Sequence, residues 1–212
     1  MNNINFDILK EISNIASANA ISALANFTEK KLDIYIPSIE KIHYSNLPKL
    51  LGNEESIIVS ICQNVSEGFD GKILFTIDEI SFKKLLFSIL EKYNISTYSK
   101  IEDINTFNLS NFELSFIQEM GNILTASYLN AISELLDKII SPSPPCIAID
   151  MASAIISQIL FFADEYSDEL ILAKTELILD DYNLNSQVIL IPNNGELLNL
   201  INSIKEKYNI YV

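Results

Sequence analysis

Along residues 6–27 and 114–135 apolar positions recur every three or four residues, the pattern of helices with one buried side. In the first stretch Ile8, Ile12, Ile15, Ala16, Ala23 and Phe27 share a side and are expected to face a core. The second opens with Ser110-Asn111-Phe112-Glu113, a capping box in which Ser and Glu satisfy each other's orphan backbone donors. Elsewhere the pattern shortens to alternation or to brief apolar runs. Strands are expected over 33–44, 56–65, 72–77, 170–179 and 187–192, with a short one over 146–150. Further helices are expected over 79–93, over 151–163 with Asp150 as N-cap, and over 196–208. Residues 94–109 are polar and weakly periodic, and read as a linker.

The two leading helices are alike residue by residue. A shift of 108 brings Glu11 onto Glu119, Asn14 onto Asn122, Ile15 onto Ile123, Ala18 onto Ala126 and Ala23 onto Ala131. Apolar positions match in kind, Phe6 with Leu114 and Ile12 with Met120, and the same shift carries Pro37 onto Pro145. Two halves of similar plan are the simplest explanation. The expectation is an α/β (α+β) chain, one domain over 1–212, made of repeats at about 6–93 and 110–208. A single composite sheet would carry both repeat helices.

At about 100° per residue, Asp7, Glu11 and Asn14 fall on one strip beside the apolar side of the first helix. Ser115, Glu119 and Asn122 form the same strip on the second. Each half therefore presents a carboxylate and a carboxamide one turn apart on a rigid element, and rigidity favours catalysis by positioning. A single Glu and Asn at this spacing would ordinarily mark a solvated face. Two copies in one register, each followed after 22 residues by Pro, are harder to assign to chance.

Composition removes most other chemistries. The net charge of −14 and the absence of Arg disfavour nucleic acid, anionic membranes and a guanidinium clamp for phosphate. The only imidazole, His43, sits in an alternating stretch with no nucleophile beside it and reads as an ordinary surface or edge residue. Cys62 and Cys146 are the only cysteines, too few for a disulfide framework or a zinc site. There is no Gly-rich phosphate loop, no signal-peptide pattern at the N-terminus, and no apolar run of spanning length. A cytoplasmic location is expected.

The arrangement Asp/Ser-x-x-x-Glu-x-x-Asn-x22-Pro resembles the signature of the CheC, CheX and FliY phosphatases of bacterial chemotaxis. Asp7, Glu11, Asn14 and Pro37 match it once, and Ser115, Glu119, Asn122 and Pro145 match it again. The stretches at 119–124 and 127–131 resemble the family's second motif helix, and those at 142–145 and 149–152 extend the match. The likeness runs over nearly the whole chain, and its two motifs fit the CheC branch better than single-motif CheX or FliY with its added switch domain. It implies hydrolysis of the aspartyl phosphate of a CheY-type response regulator. Asn14 and Asn122 would then orient the attacking water, and Glu11 and Glu119 would pair with the regulator's lysine. Asp7 and Ser115 would support them, while Pro37 and Pro145 would be structural. No cofactor of its own is implied, since Mg²⁺ resides in the regulator. The deamidase CheD is a second partner the likeness brings in. The first motif helix departs from the family in carrying Ser13, Ala16 and Ala18 where glycine is usual.

Two rivals stand beside this reading. A non-enzymatic adaptor would use the same acidic helices only to dock a partner, with the Asp150, Ala152 and Ser153 region as a further candidate surface. A metal-dependent hydrolase would need a ligand cluster, and Asp164-Glu165 and Asp180-Asp181 read as solvated charge instead.

Overall fold

The computed structural model describes residues 3–43, 46–47, 51, 53–95, 98–160, 169–179 and 182–210. The first motif helix, α1 (Asn3–Thr28), leads into strands β1 (Leu32–His43), β2 (Ile57–Ser66) and β3 (Gly71–Asp78), and then into α2 (Glu79–Lys92). A 3₁₀ turn at Ile101–Asp103 precedes the second motif helix, α3 (Asn111–Leu136). The remainder is β4 (Ser141–Pro142), β5 (Cys146–Met151), α4 (Ala152–Leu160), β6 (Glu169–Leu179), β7 (Tyr182–Pro192) and α5 (Glu196–Lys207).

All strand pairs are antiparallel, so of the two expected classes the chain is α+β. The sheet runs β1-β6-β7-β3-β2, and β4 and β5 share the outer side of β2. Exchanging β1 with β5, β2 with β6 and β3 with β7 returns the same order read backwards. Each half lends its outer strand to the other: β1 pairs with β6, and β5 pairs with β2.

Both outer strands are broken at the same place. Between Tyr35 and Ser38 β1 spends one residue more than β6, and Pro37 lies in that bulge. Between Pro142 and Cys146 the other edge spends one residue more than β2, and Pro145 lies there. Proline has no donor to give a ladder, so edge bulges are where it is tolerated.

Helices α1 and α3 lie against one face of the sheet and against each other, in a core that also takes in α2 and α5. They run antiparallel, as the stacking of Phe27 at the end of α1 on Phe116 at the start of α3 shows (ring centroids 5.3 Å apart). The buried line of α1 is Ile8, Leu9, Ile12, Ala16, Ala20 and Leu24, while Ile15, Ala23 and Phe27 lie at its margin. The apolar side is thus wider and turned slightly from the expected one, because α1 meets both a helix and a sheet. On α3, Gly121 packs directly against β2, and a Cβ there would overlap the side chain of Ile61. The sheet's other face is covered by α4 together with Leu47 and Leu51.

The Ser110 capping box forms as expected, with the Ser110 amide donating to Glu113 (2.6 Å). Three expectations are corrected. Strand β7 begins at Tyr182 rather than at residue 187, because residues 182–186 pair with the end of β6 and bury Leu184 among their polar neighbours. Asp150 does not cap a helix: it lies in β5 and accepts from the next amide, that of Met151. The first donors of α4, Ala152 N and Ser153 N, go instead to the carbonyls of Ser56 and Glu54. Ala152 is fully buried, while Asp150 and Ser153 are half-buried and Met151 is exposed. The connection at 94–109 is fastened down, with Ile104 and Thr106 buried and Thr106 Oγ1 donating to Glu79 (2.9 Å). The acidic pairs at 164–165 and 180–181, and the part of the expected helix beyond residue 160, lie outside the described residues.

Candidate functional site

Both motif helices are 26 residues long and start 108 residues apart, so each strip occupies the same turns of its helix. Asp7, Glu11 and Asn14 are exposed on α1; Ser115 and Glu119 are exposed on α3, and Asn122 is half-buried. Ala18 and Ala126, one turn further on, are exposed too. The structure therefore leaves both carboxylate–carboxamide pairs open to a partner.

The two strips differ in what stands behind them. Asn122 Nδ2 donates to Glu119 Oε2 (3.4 Å), and Asn122 Oδ1 accepts from Gln63 Nε2 (3.4 Å). Gln63 belongs to β2, is 3% exposed, and also donates to the carbonyl of Ser143 (2.7 Å) in the bulge before Pro145. One amide thus ties the bulge to the motif helix. Its own Oε1 is buried without a partner among the described residues, so the side chain is held from its nitrogen end alone. Both contacts of Asn122 are long, so they bias the direction of its carboxamide without locking it. On α1 no hydrogen bond joins Glu11 to Asn14 among the described residues, and the ladder position of β6 that corresponds to Gln63 is Thr175, which has no carboxamide.

Sequence reasoning missed Gln63 and Ser143. Gln63 is a polar residue in the apolar strand Ile57–Ser66, on the face that packs against α3, and that misplaced polarity was the available signal.

Each strip also borders a groove. Ser115 and Glu119 line one of about 400 Å³ with Phe27, Tyr93, Phe112 and Phe116. Asp7 and Glu11 line one of about 490 Å³ with Leu135, Tyr208 and Ile210 among its walls. The closing tyrosines belong to an identical pentapeptide, Glu-Lys-Tyr-Asn-Ile, at 91–95 and 206–210. In both copies Asn turns left-handed (φ 53° at Asn94 and at Asn209). The following Ile amide bonds back to the helix, Ile95 to Leu90 O (3.1 Å) and Ile210 to Lys205 O (2.9 Å). Both are Schellman caps, which spend a left-handed residue to satisfy late carbonyls. The copies lie 115 residues apart, out of register with the 108-residue offset of the motif helices.

Among the described residues no three His, Cys, Asp or Glu side chains gather as metal ligands, and no helix is long and apolar enough to cross a membrane.

The chain matches the CheC-like family over residues 6–40 and 112–149, two segments that each run from a motif helix past its proline. It is 24% identical to the CheY-P phosphatase CheC of Bacillus subtilis over 188 residues, which is 88% of this chain and 87% of that protein. It is 28% identical over 139 residues to the flagellar motor switch phosphatase FliY of the same organism, covering 66% of this chain and 34% of that one. In fold it is similar to the crystal structure of Thermotoga maritima FliY, with a TM-score of 0.72, 19% identity, and 98% of each chain covered.

Proposed function

We propose that the chain, which matches the CheC-like family over residues 6–40 and 112–149, hydrolyses the aspartyl phosphate of a CheY-type response regulator. The observation that supports this is the pair of surface Glu-x-x-Asn strips, one of them with its half-buried carboxamide contacting Gln63 and Glu119. Phosphoryl transfer asks a protein chiefly for positioning and electrostatic stabilisation. A neutral carboxamide serves here because its oxygen accepts a hydrogen bond from a water without repelling the phosphoryl oxygens. Asn14 and Asn122 supply that group. Glu11 and Glu119, one turn earlier, pair with the regulator's lysine and seat the helix over its phosphorylated site. The metal and the phosphorylated aspartate belong to the regulator, so the chain needs to bring only the water's orientation.

The test is phosphate release from a phosphorylated regulator. Replacing Asn14 and Asn122 together by Ala should slow release by orders of magnitude, several kcal/mol of transition-state stabilisation, while binding persists. Normal rates in the double variant would remove the mechanism. The apolar grooves beside both strips favour docking whether or not hydrolysis follows, so an adaptor is the second reading. Binding without phosphate release by the unaltered chain would select it.

A further inference from the structure

The chain's only two cysteines stand directly opposite each other. Cys62 of β2 and Cys146 of β5 are register partners on antiparallel strands, so their side chains leave the sheet on the same face. Directly opposed residues in such a pair have Cα atoms about 4.5 or 5.5 Å apart. Both spacings fall inside the window of roughly 4.4–6.8 Å from which a disulfide closes. The two thiols are free, Cys146 is exposed, and both line an open groove of about 300 Å³ with Lys72, Asn64, Ser143 and Ala148. Burial pushes the Cys62 thiol up, Lys72 working against it, so the exposed Cys146 is the point of entry.

Their position matters as much as their spacing. Cys62 is the residue before Gln63, and Cys146 is the residue after Pro145. A bond between them would clamp the edge strand to β2 at the bulge where Gln63 holds both Ser143 and Asn122.

We propose that Cys62 and Cys146 form a redox-active dithiol, oxidised by small disulfides to a cross-strand bond that reports on the Asn122 carboxamide. The Cys146 thiolate attacks one sulfur of a low-molecular-weight disulfide and displaces one thiolate, leaving a mixed disulfide. The Cys62 thiolate then attacks the Cys146 sulfur and displaces the second. Two protein thiols are oxidised, one small disulfide is reduced to two thiols, and the two protons leave on those thiols.

The full chain should be treated with oxidised glutathione and followed by intact mass and by free-thiol titration. Expected is a monomer that has lost two hydrogens and both thiols together, reversed by dithiothreitol. Cys62→Ser should instead retain one glutathione on Cys146. Stable glutathione adducts on the unaltered chain, or disulfide-linked dimers, would overturn the dithiol. The coupling is read from side-chain amide resonances in a ¹⁵N-labelled chain, assigned by their loss in Asn14→Ala and Asn122→Ala. The Asn122 signal should shift on oxidation and the Asn14 signal should stay. An unmoved Asn122 signal, or equal shifts at both, would overturn the coupling. Neither readout uses phosphate release, so failure of the phosphatase reading and failure of this one are separable.

Discussion

At the scale of single residues the two strips are chemically unequal. The Asn122 carboxamide contacts Glu119 and Gln63, whereas the residue of β6 in the register position of Gln63 is Thr175, which has no carboxamide. Asp7 adds a carboxylate where Ser115 is neutral, and a phosphorylated, acidic partner site should oppose that extra charge. Asp7 lies beyond the first turn of α1, where the helix dipole does little to soften this. Asn122→Ala should therefore cost more phosphate-release activity than Asn14→Ala, by several-fold, on the order of 1 kcal/mol. Equal losses at matched low ionic strength would defeat the argument. Gln63→Leu separates orientation from general stability. It should lower kcat several-fold in an Asn14→Ala background and leave the residual rate of an Asn122→Ala background unchanged. A fall in both backgrounds would mean that Gln63 acts only on the fold.

At the scale of elements, α3 depends on how closely it can approach β2. Gly121 permits that approach against Ile61, where the corresponding residue of α1 is the buried Ser13. Gly121→Ala gains helix propensity but overpacks the contact, and should lower stability by about 1–3 kcal/mol in urea unfolding. An unchanged or raised midpoint would show that Ile61 yields freely. The start of α2 carries a pH-dependent fastening. Burial acts to raise the Glu79 carboxyl, yet donation from Lys83 (2.9 Å) and from Thr106 outweighs it and holds the group below its ordinary value. A lowered folded value adds stability that is complete above the unfolded pKa, about 4.3, and is lost as pH falls through the folded value. Glu79→Gln should cost about 0.5–1 kcal/mol near neutrality. The gap to the unaltered chain should close as both are taken below the ordinary glutamate range. A constant gap across pH would mean that the carboxylate's charge contributes nothing.

At the scale of the whole molecule, the halves are interleaved rather than placed side by side. Among the described residues β1 pairs with β6 alone, and β2 is flanked by β3 of its own half and by β4 and β5 of the other. A fragment of residues 1–93 would keep α1 and its motif but leave β1 with no strand to pair with. It should be unfolded or aggregated by circular dichroism and size exclusion, while the full chain unfolds in one transition. A folded, monomeric 1–93 fragment would contradict the interleaved plan.

Local chemistry made much of this legible in the sequence. Helical spacing along 6–27 and 114–135, the Ser110 box and the paired Glu-x-x-Asn-x22-Pro spacing depend on neighbours within a few turns, and each is written in the order of residues. Two edge prolines likewise announce a break in a strand, although not which strand they break from. What the sequence could not state was partnership across the fold. The largely polar residues 182–186 become strand because β6 lies beside them and Leu184 is buried there, and Asp150 loses its cap because Ser56 and Glu54 carbonyls reach the α4 amides first. Gln63 becomes part of a site because β2, the Pro145 bulge and α3 converge on its nitrogen. Cys62 faces Cys146 only through a register set by the ladder between halves. Hydrogen bonds and packing over long chain separations decide these cases, and a residue's own propensity carries no record of which distant group will meet it.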